Sequence, residues 1–239
     1  MAINDKELEQ IIRETLGMKN TDKKLYEAFV LQAKKYNLTT DLLSQKTNNA
    51  HQQLLDAYVD TANNISAKLD SADVSAANSN DSAFRSLKCE ETYNVNASFL
   101  HAYYFENIAD PTSKITMDSL AYMRLSRDFG TFDDWQQDFV ACALSSRQGW
   151  AVTVYNGFLD RFMNVVIDSH DVGVPINCYP IIVIDMWEHA YYRDYLDDKK
   201  KYVFAMMKEL NWEMIEARVR RADKLSKLFS KPLSAGGDR

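Results

Sequence analysis

An aspartate and a histidine stand four residues apart where an apolar run of the sequence ends. In YPIIVIDMWEHAYY, which covers 179–192, Asp185 closes the run and His189 follows. A carboxylate oxygen and a neutral imidazole nitrogen, without a thiolate, suit a first-row metal ion. A strand-to-helix corner would hold both side chains rigidly in one direction. Two ligands do not make a site, however, and this stretch alone favours a structural hydrogen bond between the two side chains.

Two further histidines make a metal site the better interpretation of this stretch. His101 lies in SFLHAYYFENI and His51 in TNNAHQQLLDAYVD, both within predicted helices. Each histidine taken alone is more simply a satisfied core residue or a residue on a helix surface. Together with Asp185 and His189 they make a set of three imidazoles and one carboxylate. The sequence therefore predicts one metal site at four residues that are far apart in the chain.

The hydrophobic pattern predicts helices first and a mixed part afterwards. Helical spacing of apolar residues runs from residue 1 to about 40, from about 40 to 69, and through NVNASFLHAYYFENI. TMDSLAYMRLSRDFG and TFDDWQQDFVACALSS predict two more helices, separated at Gly130, and Thr131 with Asp134 predicts a helix start. GWAVTVYNG, RFMNVVIDSH and YPIIVID are predicted strands, and helical patterns return after them. This order indicates an α+β protein.

The composition limits the class of protein. The 239 residues carry a formal net charge of −6, which does not support nucleic-acid binding because its footprint is a basic face. No apolar run approaches the ~18 residues of a membrane span. The start, MAINDKELEQIIRETLG, is charged and amphipathic rather than a secretory signal. Three cysteines without zinc-type pair spacing are predicted to be reduced, so we expect a cytoplasmic protein without a membrane or nucleic-acid partner.

DMWEHAYYRDY resembles the signature of the iron/manganese superoxide dismutases, in which the Asp and the His are both metal ligands. KKYVFAMMKELNWEMIEAR is similar to that family's closing helices, and DFGTFDDWQQDFVACALSSRQGWAVTVYN to its helix-then-strand passage. NASFLHAYYFENI and LSQKTNNAHQQLLDAYVD resemble its two ligand-bearing helices. The resemblance covers roughly residues 36–217. It implies one iron or manganese ion per chain, held by His51, His101, Asp185 and His189.

The resemblance also implies an activity and the residues that support it. The enzyme would be an antioxidant oxidoreductase that converts superoxide to dioxygen and hydrogen peroxide by alternating reduction and oxidation of the metal, which zinc cannot do. Tyr58 is implied at the mouth of the substrate channel. His170 is implied as the hydrogen-bond partner of metal-bound solvent, and it favours iron over manganese; the alternative is a polar loop histidine. Glu188 and Tyr192 are implied contacts of a two-fold homodimer.

The same resemblance predicts the domain organisation. It implies an N-terminal helical hairpin domain followed by a C-terminal α/β domain with a small, about three-stranded antiparallel sheet. Extensions with apolar stripes need something to pack on, so the two ends of the chain could bind another protein. The predicted parts are a helical N-terminal extension over residues 1–35, a hairpin domain with the first two ligands over 36–118, an α/β domain with the last two ligands over 119–217, and a basic C-terminal tail over 218–239.

Two departures from the family's pattern support an alternative interpretation. His51 and Tyr58 have six residues between them, where the family usually has seven, and on a regular helix this rotates one side chain by ~100° relative to the other. Leu54 stands where the family usually has a histidine. The alternative is a dismutase-like structural or interaction protein of a larger assembly, in which a metal staples the fold and activity is low or absent.

Overall fold

The computed structural model of the protein describes residues 29–109 and 113–229. Within these ranges the chain forms a helical hairpin, two shorter helices, a three-stranded antiparallel sheet and three closing helices. The predicted α+β fold, with its hairpin followed by an α/β domain, is therefore confirmed. Residues 1–28 of the predicted helical extension and residues 230–239 of the predicted tail lie outside the described residues. In the part of the chain that is described, no helix is both long and apolar enough to cross a membrane.

Two long helices make the hairpin, and their side chains carry half of the predicted site. Helix α1 (Gln45–Asp70) packs along helix α2 (Ala83–Ile108). The hydroxyl oxygens of Ser44 and Ser82 each accept a hydrogen bond from the backbone N–H three residues on, which satisfies a donor left free at a helix start. The predicted loop between the helices contains a short 3-10 turn, Val74–Ala76.

A sharp break separates the next two helices, α3 (Leu120–Phe129) and α4 (Phe132–Ser145). Gly130 between them has a φ of 102°, a conformation that residues with a Cβ rarely adopt. The Oγ1 of Thr131 then accepts a hydrogen bond from the Asp134 N–H at 3.0 Å and begins α4. The predicted break and the predicted helix start are both confirmed.

The sheet contains the strand that ends in the predicted ligand Asp185. Strands β1 (Trp150–Asn156), β2 (Arg161–Ile167) and β3 (Cys178–Asp185) pair antiparallel in the order β2-β1-β3. Trp150 at the start of β1 lies opposite Asp185 at the end of β3. β1 is buried along most of its length because it is the central strand between two partners and lies under helices.

Three closing helices follow the sheet: α5 (Glu188–Tyr195), α6 (Lys199–Glu209) and α7 (Trp212–Phe229). The predicted boundary at residue 217 falls inside α7, where Val219 and Ala222 are fully buried. The first part of the predicted basic tail is therefore a helix packed on the core. The other predicted domain boundaries stay predictions.

Residues 29–40 form no helix, although the apolar spacing predicts one there. This segment lies along α1, whose polar side chains satisfy its backbone. The Phe29 N–H donates to Ser66 Oγ at 2.6 Å, and the Leu31 N–H donates to Asn63 Oδ1 at 2.6 Å. The prediction is wrong here because hydrogen bonds from another helix replace those of a local helical turn, which sequence spacing cannot reveal.

Candidate metal centre

Four side chains from four separate elements converge at one place. His51 comes from α1, His101 from α2, Asp185 from the end of β3, and His189 from the first turns of α5. The Nε2 atoms of His51, His189 and His101 lie 3.0, 3.2 and 3.7 Å from the same atom, Asp185 Oδ2. The four ligand atoms are within 4.8 Å of one another. The structure therefore brings together all four predicted ligands.

The strand-to-helix corner holds Asp185 firmly and leaves one oxygen for the site. Its Oδ1 accepts a hydrogen bond from the Trp187 N–H at 2.8 Å, and the Tyr202 hydroxyl donates to its backbone carbonyl at 2.7 Å. The Met186 N–H donates to the Gly149 carbonyl at 2.7 Å, which ties the corner to the start of β1. With these contacts made, Oδ2 is the carboxylate oxygen that faces the three imidazoles.

The protonation of His101 can be deduced from its neighbours. Its Nδ1–H donates to the Ala97 carbonyl at 2.7 Å, one helical turn earlier, so the lone pair of the neutral ring is on Nε2. Burial, and after it the positive charge that His51 can carry, lowers the pKa of His101 to about 3. Nε2 is buried and has no hydrogen-bond partner among the described residues. This nitrogen lone pair faces an oxygen of Asp185, so two buried acceptors lie side by side, and a metal ion held by both atoms would satisfy them.

The charges of the other ligands agree with this arrangement. Burial lowers the pKa of His51, so its ring is neutral at pH 7. For Asp185, burial acts to raise the pKa, but His189 and His51 outweigh it and hold the pKa well below its usual value. The donor set is thus three imidazole rings and one ionised oxygen, and it fits a first-row divalent or trivalent ion.

Aromatic rings line the site and pack against its imidazole rings. Trp187 stacks on His189, with ring centroids 6.1 Å apart and an angle of 10°. Phe105 lies edge-on to His51 at 4.9 Å, and Trp150 lies edge-on to His101 at 4.9 Å. These rings fix the imidazole planes through packing, because a displaced ring would leave a void in a close-packed interior.

His170, the fourth histidine, is fully buried beside the site. The indole N–H of Trp150 donates to its Nδ1 at 3.0 Å, and an indole can only donate. The hydrogen of the neutral ring is therefore on Nε2, which donates to the Tyr58 hydroxyl at 3.1 Å. Burial, the largest cause, lowers the pKa of His170 to about 4 and keeps the ring neutral. The interpretation of His170 as a polar loop residue is wrong, because its ring is enclosed and both nitrogens are used.

The shortened spacing on α1 does not misplace Tyr58. Its ring lies 5.1 Å from the ring of His101, on the same side of α1 as His51. Seven residues at 3.6 residues per turn differ from two full turns by only about 20°. Because α1 is a continuous α-helix, His51 and Tyr58 share one face within this chain. The departure from the family's spacing therefore moves neither residue away from the site.

The open side of the centre carries the residues predicted for a subunit contact. A pocket of about 390 Å³ is lined by Leu54, Glu188, His189 and Tyr192, among others. Glu188 is exposed, and Tyr192 is 53% exposed. The pocket leaves 27% of the His189 side chain accessible, so this ligand is the least covered of the four.

Two residues near the site carry no signal in the sequence. Asn96 Nδ2 donates to the His170 carbonyl at 2.9 Å and holds the loop after β2 against α2. The ring of Tyr93 lies 4.7 Å from the ring of His170. Both residues precede His101 on α2, but neither stands at a helical spacing that would place it on the face of His101. Which of them meets the loop depends on how the loop folds.

An α+β fold that brings three imidazoles from three helices to a buried carboxylate at a strand-to-helix corner defines a metal-binding class of protein. Comparison with known proteins is more specific. A profile of the C-terminal domain of iron/manganese superoxide dismutases matches residues 118–218. The iron superoxide dismutase of Aquifex aeolicus is 36% identical over 170 residues, which are 70% of this chain and 79% of that protein.

Further relatives include both an iron and a manganese superoxide dismutase, and one of them is matched over nearly its whole length. The iron superoxide dismutase of Methanothermobacter thermautotrophicus is 31% identical over 204 residues, 84% of this chain and 98% of that protein. A manganese superoxide dismutase of Haloferax volcanii is 34% identical over 134 residues, 56% of this chain and 66% of that protein. The chain belongs to the iron/manganese superoxide dismutase family and is an oxidoreductase of that class.

Proposed function

We propose that this protein disproportionates superoxide to dioxygen and hydrogen peroxide at one iron or manganese ion per chain. The observation that carries the proposal is the convergence of His51, His101 and His189 on one oxygen of Asp185, with His101 Nε2 buried and unpartnered in the described part. No comparison favours the structural alternative, and its argument from the His51–Tyr58 spacing no longer holds because the two residues share one helix face.

The ion, when bound, supplies a one-electron redox couple, which iron and manganese have and zinc lacks. The chain's own residues set the conditions for it. Asp185 contributes the negative charge of the donor set, while the buried rings of His51 and His101 are neutral. Asp185 is fully buried, so the electrostatic effect of this carboxylate is strong.

Tyr58 and His170 are the residues that we propose to act on the substrate and its protons. His170 Nε2–H fixes the Tyr58 hydroxyl, and Trp150 fixes His170 in turn. This arrangement places the phenol 5.1 Å from the ring of His101, at the edge of the centre. We propose iron in preference to manganese, because a histidine, His170, holds the position implied for the hydrogen-bond partner of metal-bound solvent.

Metal analysis of the purified protein beside a superoxide-consumption assay tests the function. We expect iron or manganese near one ion per chain and activity that follows the metal content as protein is reloaded with each metal separately. Iron-loaded protein is expected to be the more active form. Zinc as the bound ion, or protein that is inactive with both redox metals, would instead support the structural alternative.

We propose a two-fold homodimer through Glu188 and Tyr192. Both residues are exposed around the pocket on the open side of the centre, and a partner there would cover the accessible part of His189. Leu54 adds an apolar surface at the same place, which suits a buried contact.

The double variant Glu188→Ala with Tyr192→Ala is expected to shift the protein from dimer to monomer in sedimentation equilibrium. The physical reason is loss of a central aromatic residue and of a charge at the contact, where single residues can cost 2 kcal/mol or more, roughly thirtyfold in the dissociation constant. Phe204→Ala is the control, because Phe204 is exposed on α6 outside this pocket. A double variant that dimerises like the wild type would exclude this surface.

The proposed location is the cytoplasm, with an antioxidant role. The three cysteines are free, which agrees with a reducing compartment. A protein partner for the two chain ends stays a prediction. Within the described residues, α7 already packs on the chain's own core as far as Ala222.

A further inference from the structure

The loop that carries His170 is attached to the neighbouring helix by one side chain. Residues 168–172 form a turn, which the Asp168 N–H closes on the Val172 carbonyl at 3.0 Å, and His170 is its middle residue. Asn96, on α2, donates from Nδ2 to the His170 carbonyl at 2.9 Å. This hydrogen bond joins a rigid helix to the middle of the turn.

The packing between the loop and α2 is incomplete beside this hydrogen bond. A pocket of about 110 Å³ lies there, and mostly apolar side chains line it, among them Phe99 on α2 and Val174 and Pro175 in the loop. Asn96 lines the same pocket. Because dispersion contacts are lost across a gap, the polar contact of Asn96 carries more of the attachment of the loop to the helix.

The same turn of α2 also holds a predicted metal ligand. Ala97 follows Asn96, and its carbonyl accepts the Nδ1–H of His101 at 2.7 Å. The rings of His101 and His170 lie 5.8 Å apart. Since neighbouring residues of an α-helix keep a constant separation, Asn96 and Ala97 set the distance between these two histidines from one rigid segment.

The ring of His170 is held separately from its backbone. The Trp150 indole N–H donates to Nδ1 at 3.0 Å, and Nε2–H donates to the Tyr58 hydroxyl at 3.1 Å. These two hydrogen bonds orient the ring, while Asn96 fixes the backbone oxygen of the same residue. A displaced backbone would change the length of the hydrogen bond to Tyr58 at the edge of the centre.

We propose that Asn96 is a positioning residue of the metal centre, whose amide fixes the backbone of His170 and thereby the place of its ring beside Tyr58 and His101. The proposal rests on the dismutase function proposed above and adds a residue that touches neither substrate nor ion. Groups that hydrogen-bond around a metal site tune its reduction potential, and their loss costs roughly 10- to 100-fold in affinity or activity. Asn96 acts through His170, so we expect an effect at the lower end of this range.

The variant Asn96→Leu tests this role, because leucine has nearly the shape of asparagine and no hydrogen-bond donor. We expect the metal content of the wild type, a turnover number about tenfold lower, and a shifted reduction midpoint of the bound ion. Asn96→Gln keeps the amide group and is expected to restore part of the turnover and of the midpoint.

Asn164→Leu is the matched control. Asn164, on β2, is half-buried like Asn96, and its Nδ2 donates to Asp138 Oδ2 on α4 at 2.8 Å. The control therefore also loses a hydrogen bond between two elements, but one that joins the sheet to α4 instead of the His170 loop to α2. It is expected to keep the turnover and the midpoint of the wild type.

A further measurement does not depend on activity. In full-length protein reloaded with zinc, nitrogen-15 spectra of the histidine rings report the Nε2–H of His170 and its hydrogen bond to Tyr58. The variant His170→Gln identifies the signal, which is absent there. We expect the signal to move in Asn96→Leu and to stay in place in Asn164→Leu.

The outcomes separate the positioning role from the function. An active wild type together with normal turnover in Asn96→Leu, or an unmoved His170 signal, overturns the positioning role alone. An Asn96→Leu variant that unfolds more easily but keeps the wild-type midpoint also overturns it, since that result indicates a structural role. A wild type that is inactive with both iron and manganese overturns the proposed function, whereas the His170 signal still decides whether Asn96 positions this ring.

Discussion

The variant Asp185→Ala is expected to lose the bound ion and more than about 100-fold of the superoxide-consuming activity. Residues that only orient ligands already cost 10- to 100-fold when they are changed, so loss of a ligand exceeds that range. Asp185 is the acidic member of the donor set, and its Oδ2 is the atom that all three imidazoles approach. Without it, no carboxylate of the set remains to balance the ion's charge in a buried site.

The experiment measures metal content and activity of Asp185→Ala, Asp185→Asn and Asp197→Ala. Asparagine keeps the shape of the side chain and can still accept the hydrogen bond from the Trp187 N–H. It therefore separates the effect of losing the charge from the effect of losing this hydrogen bond at the corner. Asp197 is exposed at the end of α5, and its alanine variant is expected to match the wild type. Full activity in either Asp185 variant would show that the metal is held elsewhere.

The variant Arg218→Ala is expected to destabilise the protein by about 2–5 kcal/mol, because it leaves a cavity and removes the hydrogen bonds of a fully buried side chain. Arg218 is fully buried on α7, and its guanidinium donates to the Ile181 carbonyl on β3 and the Tyr103 carbonyl on α2. It also pairs with Glu106 at 2.9 Å and lies 4.4 Å from the centre of the Tyr103 ring. One side chain thus joins the hairpin, the sheet and the last helix.

Thermal unfolding followed by circular dichroism checks this expectation. At roughly 2–4 °C per kcal/mol for a chain of this size, the midpoint is expected to fall by about 10 °C. Arg220→Ala is the control on the same helix, because Arg220 is 66% exposed and forms a surface pair with Glu216. Its effect is expected to stay below about 1 kcal/mol. Equal midpoints for Arg218→Ala and the wild type would contradict the role of this side chain in joining the elements.

The elements that the sequence predicted well are those whose signals are local. The break at Gly130, the helix start at Thr131 and the three strands each depend on residues a few positions apart. Residues 29–40 show the opposite case. Their apolar spacing satisfies the helical pattern, yet polar side chains of α1 take their backbone hydrogen bonds, and the segment is extended along that helix.

For the metal site too, one part could be predicted from the sequence and another part could not. Residue types and spacing were enough to select His51, His101, Asp185 and His189. The reason is that residue type determines which atoms can bind a metal, and the corner after β3 depends on a few neighbouring residues. Their approach to one oxygen atom was decided only by tertiary packing, since the four elements that carry them are joined by long loops and helices.

The partners of His170 belong to the tertiary structure as well. Trp150 comes from the start of β1, Tyr58 from α1 and Tyr93 from α2. These residues lie up to 112 positions from His170 in the chain. By itself, the sequence determined which atoms can bind a metal and which local turns hold them. The folded chain decided the distances among those atoms and the direction of each hydrogen bond, because helical and strand periods specify the face of an element and not what packs against that face.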